Sequence, residues 1–513
     1  MMLLCMAATL TAWAQTAITG TVVSAADKEP VIGATVKVKG ASQGTVTDLN
    51  GKFSINVQAG KTLVFSYIGM QSKEVAAKNN MYVELGSDET ALDEVVVMGY
   101  GTQKKLGSVV GAVSTVSNAK LSVAVTPNFT DALAGQVAGL SVLSSSGDPT
   151  TSASIRLRGV NSMYSSNAPL YILDGAPVSS TVFNTLNPAD IQSITVLKDA
   201  ASTAIYGSRG SNGIVLITTK KGNAGKTSLT ISNSTTFSEV AMMPEMQNRY
   251  GNKPNVFASW GDKISSNYDP RNFFRTGVDV ISSVSLSTGN QRNQTYISGS
   301  TTNSTNILPN SGYNRYNFSA RNTTTFLNDK LVLDFGGNFI KQDDKNLTAQ
   351  GLYYNPIPAL YLFPRSENFD NLRMFERWNE AKGFYEQYWP YGGMAQGYQN
   401  PYWMQNRMLR ENSRTRYMLN ASLKYKITDW LDITGRVKVD NYNNRLTYKM
   451  YASTTEMFSG LKGNYRDIQS TMASTYADVI ATVNKTIDDW SINVNLGASI
   501  NDTQYESLGY DGG

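Results

Sequence analysis

The stretch YMLNASLKYKITDWLDIT, residues 417–434, alternates with a period of two. Tyr417, Leu419, Ala421, Leu423, Tyr425 and Ile427 fall on one side, and Met418, Asn420, Ser422, Lys424 and Lys426 on the other. Successive side chains of a strand point to opposite faces, so this is a strand with one apolar and one polar side. SINVNLGASI, residues 491–500, repeats the pattern: Ile492, Val494, Leu496, Ala498 and Ile500 stand against Asn493, Asn495, Gly497 and Ser499. Alternation held for about ten residues, apolar outward and polar inward, marks the strands of a membrane β-barrel. A β-sandwich with its polar faces in water is the other reading of these strands.

Working outward, three turns share one logic. FLNDKLVLDF, YKITDWLDIT and KTIDDWSINV each place a short polar turn, at Asp329, at Asp429 and at Asp488 or Asp489, between two alternating strands. Trp430 and Trp490 sit where an aromatic girdle at a membrane interface belongs. Connections on the other side are long, and the longest, roughly 343–412, is crowded with aromatic residues. Short turns at one end and long loops at the other are a barrel trait.

Composition agrees. Charged residues make up 17% of the 513, glycine (42) and tyrosine (28) are plentiful, and the net charge is only +5. With no dense Lys/Arg block, a nucleic-acid partner has no support. The chain contains no histidine, which removes Ser/His/Asp and Cys/His catalysis and His-ligated zinc. The one cysteine is Cys5, inside MMLLCMAATLTAWAQ. This short apolar segment ends in a small-x-small pattern at Ala12-Trp13-Ala14 and reads as a signal peptide spanning residues 1–14, with a buried helix as the alternative. The exported chain then has no disulfide framework. Past residue 14 no apolar run reaches the about 20 residues of a transmembrane helix, so a membrane form must be a closed β-barrel.

Residues 15–86 read as a small β domain. FSINVQ and TVKVK alternate cleanly, and Asn50-Gly51 predicts a type I′ hairpin turn. Asp48-Leu49-Asn50-Gly51 resembles a calcium loop only superficially, because the glycine comes too early and no bidentate Glu follows; no metal site is expected. Residues 87–104 form a linker containing DEVVVMGYG, an apolar strand with nothing nearby to pair with, behind an acidic flank. Residues 105–222 are mixed α/β. Pro127 opens a helical pattern through Phe129, Leu133, Val137 and Leu140. Asn187 caps a turn begun by Pro188, and Asp199 caps a short helix, 200–206, ended by Gly207. Barrel strands follow, nine or ten of them after residue 226.

Candidate chemistry is thin. Ser117-Asn118-Ala119-Lys120 matches S-x-x-K, but its partner motifs are missing. Gly207, Gly210 and Gly213 look like a phosphate loop, yet they follow a helix and enter a strand, the reverse of a helix N-terminal anion site; they read as turn formers. Arg156, Arg158 and Arg209 are candidate buried partners for Asp174 or Asp199 in a structural network. In the long loop, Trp378, Trp389, Tyr391 and Trp403 are candidate contacts to a sugar or a partner protein, with simple packing of the loop as the alternative. No catalytic residue and no cofactor is assigned.

TSASIRLRGVNS, PLYILDGAPV and SITVLKDAASTAIYGSRGSNGIVLITTKKG resemble the plug domain of the SusC/RagA family of TonB-linked outer-membrane transporters. Arg156, Arg158, Gly159, Asp174, Gly175, Asp199, Tyr206, Gly207, Arg209 and Gly210 fall in those motifs. LDEVVVMGYGTQKK resembles the family's TonB box, at Asp93, Glu94, Val95, Val96, Val97 and Met98. ITGTVVSAADKEPVIGATVKVKG and TDLNGKFSINV resemble its carboxypeptidase-regulatory-like domain. The resemblance runs from Ile18 to about Lys221 and implies a mainly β architecture: a small β-sandwich, an α/β plug at 105–222, and from 223 to 513 the first part of an antiparallel transmembrane barrel. Plugged transporters have about 22 strands, so the chain is expected to be incomplete at its C-terminus, since an open half-barrel leaves an edge in lipid.

The function so implied is active import of oligosaccharides or peptides, glycans foremost, across the outer membrane. TonB would couple by adding the box as a strand to its own sheet, and a SusD-like surface lipoprotein would act as lid. The regulatory-like domain, the box and the plug would face the periplasm. An outer-membrane adhesin or a signalling barrel without transport is the rival reading. The box argues against a passive barrel, and signalling would need a further N-terminal domain ahead of Ile18.

Overall fold

In the computed structural model of the chain, the residues described are 16–512, apart from 26–27, 42, 59, 68–69, 71, 87–94, 98–102, 106–112, 122–128, 145–147, 152, 161, 165, 200–202, 226, 255, 258, 348–350, 352–353, 390–397 and 488–489. The signal-peptide segment, Asp93, Glu94, Met98, Pro127, Tyr391, Asp488 and Asp489 lie outside them. The chain divides into two compact units, one holding the described residues up to 105 and the other those from 113 onward.

In the first unit β1 (Thr16–Ser24), β2 (Thr35–Val38), β3 (Gly44–Val46), β4 (Lys52–Val57), β5 (Thr62–Ser66), β6 (Lys73–Ala76) and β7 (Met81–Leu85) form two sheets, ordered β4-β1-β7 and β3-β2-β5-β6. Alternation along β4 and β2 buries Phe53, Ile55, Val57, Val36 and Val38, and both sheets share one core with Ile18, Val22, Leu63, Phe65 and Leu85. Phe53 and Phe65 meet edge to face at 5.3 Å. The 48–51 turn corrects the type I′ expectation. Gly51 alone has positive φ (69°) there, and Asp48 takes the backbone N–H groups of Asn50 and Lys52 at 2.9 and 2.8 Å. An Asx-type turn closed by one glycine therefore joins the strands.

The apolar linker strand is not alone either. Val95–Val97 (β8) pairs antiparallel with Gln103–Lys105 (β9), Val96 opposite Lys104. The sequence reading left this strand with nothing nearby to pair with, yet its partner begins six residues further on.

The second unit begins with a five-stranded mixed sheet ordered β10-β15-β16-β13-β14, with the small pair β11–β12 beside it. These are β10 (Val113–Ser117), β11 (Leu140–Leu143), β12 (Ser154–Leu157), β13 (Leu170–Leu173), β14 (Ala176–Val178), β15 (Ile191–Leu197) and β16 (Ile214–Thr219). The helix expected from Pro127 to Leu140 is only a 3-10 turn, Phe129–Leu133; Gly135 at φ 73° breaks it, and Leu140 already starts β11. Asn187 accepts from the Ala189 N–H at 3.1 Å and caps the turn Pro188–Asp190 as expected. Of the helix placed at 200–206, residues 200–202 lie outside the described residues; Thr203 donates its backbone N–H to the Asp199 carbonyl at 3.0 Å, and the 3-10 segment Ala204–Gly210 that follows is kinked at Gly207 (φ 59°, ψ −148°) rather than ended by it.

Nine long strands follow in one antiparallel meander, each paired with the next. They are β17 (Ser228–Ser238), β18 (Gly277–Gly289), β19 (Asn293–Thr305), β20 (Gly312–Phe326), β21 (Leu331–Lys345), and, after the loop hairpin β22 (Glu376–Asn379) and β23 (Phe384–Gln387), β24 (Met408–Lys426), β25 (Leu431–Tyr451), β26 (Gly463–Ile487) and β27 (Trp490–Gly512). Turns at 290–292, 327–330 and 427–430 close one end, while the connections 239–276, 306–311, 346–407 and 452–462 lie at the other. One face of this wall is apolar and open: Ala421 stands between Phe335 and Val437, and Leu423 between Leu333 and Gly435. Leu419, Leu423 and Val437 are each about half exposed. The opposite face carries the polar set and packs on the plug. No helix among the described residues is long and apolar enough to cross a membrane.

Candidate functional site

The plug meets the wall through side chains that alternate inward along the strands. β13 and β14 are joined by Asp174-Gly175, both with positive φ (49° and 88°), the geometry of a type I′ turn, for which Asp-Gly is a preferred pair. A Cβ on Gly175 would overlap the guanidinium of Arg436 from β25. Glycine is therefore required here both by the backbone and by the close approach of the wall.

Asp174 binds both sides. From β16 of the plug it accepts the Thr219 N–H at 3.0 Å and the Thr219 hydroxyl at 2.8 Å. From the wall it accepts Arg321 at 3.0 Å. Arg321 donates in a fork to Asp334 on β21, at 2.8 and 3.0 Å, and also to the Thr219 hydroxyl. Lys221 reaches Asp334 at 2.8 Å. Such bidentate, buried guanidinium–carboxylate pairs fix geometry strongly, while adding little net stability because both charges lose water.

Three more contacts seat the plug. Asp190, 7% exposed, accepts the Tyr296 hydroxyl at 2.9 Å and the Ser319 hydroxyl at 3.0 Å. Burial pushes its carboxyl above the ordinary range, against the hydrogen bonds and the charge of Lys220; burial pushes the Lys220 ammonium down, against Asp190. Arg315 and Asn317 of β20 donate to the backbone carbonyls of Asn184 and Thr185, at 3.2 and 2.9 Å. The wall also adds Ile340 and Met418 to the plug core of Val116, Leu133, Phe183, Ile194 and Val215.

The residues singled out from the sequence fall in separate places. Arg158 pairs with Asp199, but at the surface: its side chain is 53% exposed. The expected buried partner for Asp174 from within the plug is replaced by Arg321 of the wall. Tyr206 is buried with Ile172, Leu197 and Ile214, a Cβ on Gly210 would stand 3.2 Å from Ile214 Cδ1, Arg156 lies half-buried on β12 and Arg209 is exposed. Gly159 has φ 98°, just after Arg158.

In the long loop, packing takes most of the rings. Tyr268, Phe273, Phe363, Phe369 and Tyr402 form one cluster, against which Trp389 packs. Trp403 is fully buried, donating Nε1–H to Thr454 at 3.1 Å, so it supports the loop and offers no ring to solvent. Trp378 is 54% exposed, on β22, edge to face with Tyr385 at 5.2 Å.

Sequence reasoning did not single out Asp190, Arg321, Asp334, Arg436 or Lys438. A signal existed: Arg436, Lys438 and Asp440 occupy every second position of one strand, and charges at that period on a strand apolar on its other side mark a lumen.

Comparison with known proteins agrees with this arrangement. Residues 18–97 match the CarboxypepD_reg-like domain and residues 105–214 the TonB-dependent receptor plug domain. The TonB-dependent receptor SusC of Bacteroides thetaiotaomicron is 32% identical over 471 residues, covering 88% of this chain and 44% of SusC. TonB-dependent receptor P26 of Formosa agariphila is 36% identical over 373 residues, covering 69% of this chain and 37% of that relative. The chain thus spans about half the length, or less, of the curated relatives it matches. The open-open structure of the RagAB peptide importer superposes with a TM-score of 0.67 at 23% identity, over 82% of this chain and 50% of that one, a likeness of fold. With the domain order, the plug contacts and these relatives in agreement, the chain belongs to the SusC/RagA family of TonB-dependent receptors.

Proposed function

We propose that the protein takes part in TonB-dependent import of large nutrients, oligosaccharides or peptides, across the bacterial outer membrane. The observation that carries this reading is the polar seat of the plug. A plug fixed by ion pairs and hydrogen bonds exchanges them for water when it moves, so displacement exposes little apolar surface. A passive barrel has no use for such a seat. The open apolar face of the wall is far larger than a soluble protein leaves uncovered and suits lipid.

In this reading residues 93–98 are the TonB box, and TonB adds its own strand to the Val95–Val97 backbone, either at the free edge of the β8–β9 hairpin or in place of β9. Residues 15–86 form the regulatory-like domain, 105–222 the plug and 223–513 the wall, with the regulatory-like domain, the box and the plug periplasmic. A SusD-like lipoprotein would sit over the long loops, where Trp378 and Tyr385 present rings to it or to cargo. Relatives named as receptors, and no catalytic family, support a transporter with no bond made or broken in its cargo.

The test is uptake of labelled oligosaccharide or peptide mixtures by cells carrying the protein with residues 93–98 deleted. Loss of uptake with the barrel still in the membrane is expected. Uptake that continues unchanged rejects energy coupling and leaves a binding or signalling barrel.

A further inference from the structure

Around the plug's hairpin tip the charges form an alternating row. Lys221 meets Asp334, Asp334 meets Arg321, and Arg321 meets Asp174. Asp174 and Asp440 are the carboxylates whose charges act on Lys438, and Asp440 is held by Arg416 in a fork at 2.7 and 2.9 Å. Arg436 stands beside the row, paired with Asp478 at 2.9 Å. Lys438 is the exception among these groups: it is buried, and its ammonium has no hydrogen-bond partner among the described residues. It lines a cavity of about 20 Å³ together with Asp174, Asn338, Asn420, Ser422 and Arg436. That is room for about one water, and too little for an anion.

Every member of the row except Lys221 and Asp174 belongs to the wall. When Asp174 leaves with the plug, Arg321 keeps Asp334 and Arg416 keeps Asp440, but Arg321 and Lys438 are left facing a gap the size of a carboxylate. With the plug gone the two cations face lumen water with one carboxylate fewer, and their unbalanced charge attracts any carboxylate that can reach the vacated socket. A planar guanidinium on one side and an ammonium on the other suit that group.

We infer that Arg321 and Lys438 form a carboxylate-binding site in the lumen wall, filled by Asp174 while the plug is seated and offered to carboxylate-bearing cargo, an acidic oligosaccharide or acidic peptide, once the plug withdraws. The site rests on the import reading for its cargo, but not for its chemistry. It also gives the plug a reason to reseat, because Asp174 competes for the same socket after cargo has passed.

The test uses the outer-membrane protein carrying this chain, with its folded wall checked by heat-modifiable gel mobility. Asp174→Gly keeps the left-handed turn and removes the carboxylate, and it should make the plug at least about tenfold more sensitive to trypsin. Sodium formate, against sodium chloride at equal ionic strength, should restore protection by filling the socket. It should fail in Asp174→Asn, where the amide occupies the space, and in Asp174→Gly with Lys438→Met, where the surplus charge is gone. Protection by formate in all three variants, or in none, overturns the site. For cargo, the ratio of uptake of a uronate-bearing oligosaccharide to that of its neutral counterpart should fall several-fold in Lys438→Met; an unchanged ratio overturns the cargo assignment. If the unaltered protein takes up neither sugar by an energy-dependent route, the import reading fails, and the formate result still decides the socket.

Discussion

Asp190 ends a 3-10 turn capped by Asn187 and carries its carboxyl into a pocket closed by Tyr296 and Ser319 of the wall. Burial raises its affinity for a proton. A carboxyl whose folded pKa lies above its unfolded value, about 3.9, contributes stability that is present below that value and is lost as pH rises through the raised pKa. Plug seating should therefore weaken as pH rises from about 4 through that window. Asp190→Asn, neutral at every pH, can accept one of the two hydroxyls through its Oδ1 and must donate its Nδ2–H toward the other; it should flatten the profile. Trypsin sensitivity of the plug against pH checks this, and a profile unchanged by the substitution would refute it. Gly175→Val should loosen the same seat by about 2 kcal/mol or more, combining a β-branched residue in the left-handed region with overlap on Arg436; denaturant-dependent proteolysis reads it. The sequence places Asp174 and Gly175 in the plug motif, but the wall partner of Asp174, Arg321, lies 147 positions away, and local reading has no access to that pairing.

At the level of single elements, backbone and packing divide the work. In the proposed coupling the Val95–Val97 strand offers TonB its backbone, so Val96→Pro, which removes an N–H and bends the strand, should abolish uptake while leaving wall assembly intact. Uptake and membrane content measured together check it. In the long loop the two tryptophans should behave oppositely. Trp403→Ala opens a cavity at the loop base and should cost about 3–5 kcal/mol locally, visible as new protease sites between 346 and 407. Trp378→Ala should leave stability within about 0.5 kcal/mol and lower uptake or lipoprotein retention if its exposed ring is a contact. Strand alternation is legible in the sequence because one face of each strand has one environment; FSINVQ and YMLNASLKYKI both fold as their pattern predicts. The 129–140 region is misread because apolar spacing fits a helix, while Gly135 and the demand of β11 for a partner in β12 override it. The Val95–Val97 strand, read as having nothing nearby to pair with, pairs with Gln103–Lys105, a polar segment whose strand character its side chains do not announce.

Across the whole molecule, the nine-stranded wall has two edges, β17 and β27, each with one neighbour among the described residues. The described side chains of β27 from Ile492 to Asp511 are exposed on both faces, Leu496 and Leu508 by more than three quarters. Unpaired backbone groups are not tolerated in hydrocarbon. This 513-residue polypeptide refolded by itself into bilayers is therefore expected to give no heat-resistant barrel band; a stable monomeric band would show that the two edges can meet. The sequence alone determined which segments are strands, which face of each is apolar, where the short turns fall and which family motifs the plug carries, because these follow from local spacing and backbone chemistry. Only the tertiary structure decided which charges meet. Asp174, Asp190, Arg321 and Lys438 come from distant parts of the chain, and their pairing is set by strand register and by where the plug lies against the wall, quantities that no short stretch of sequence encodes.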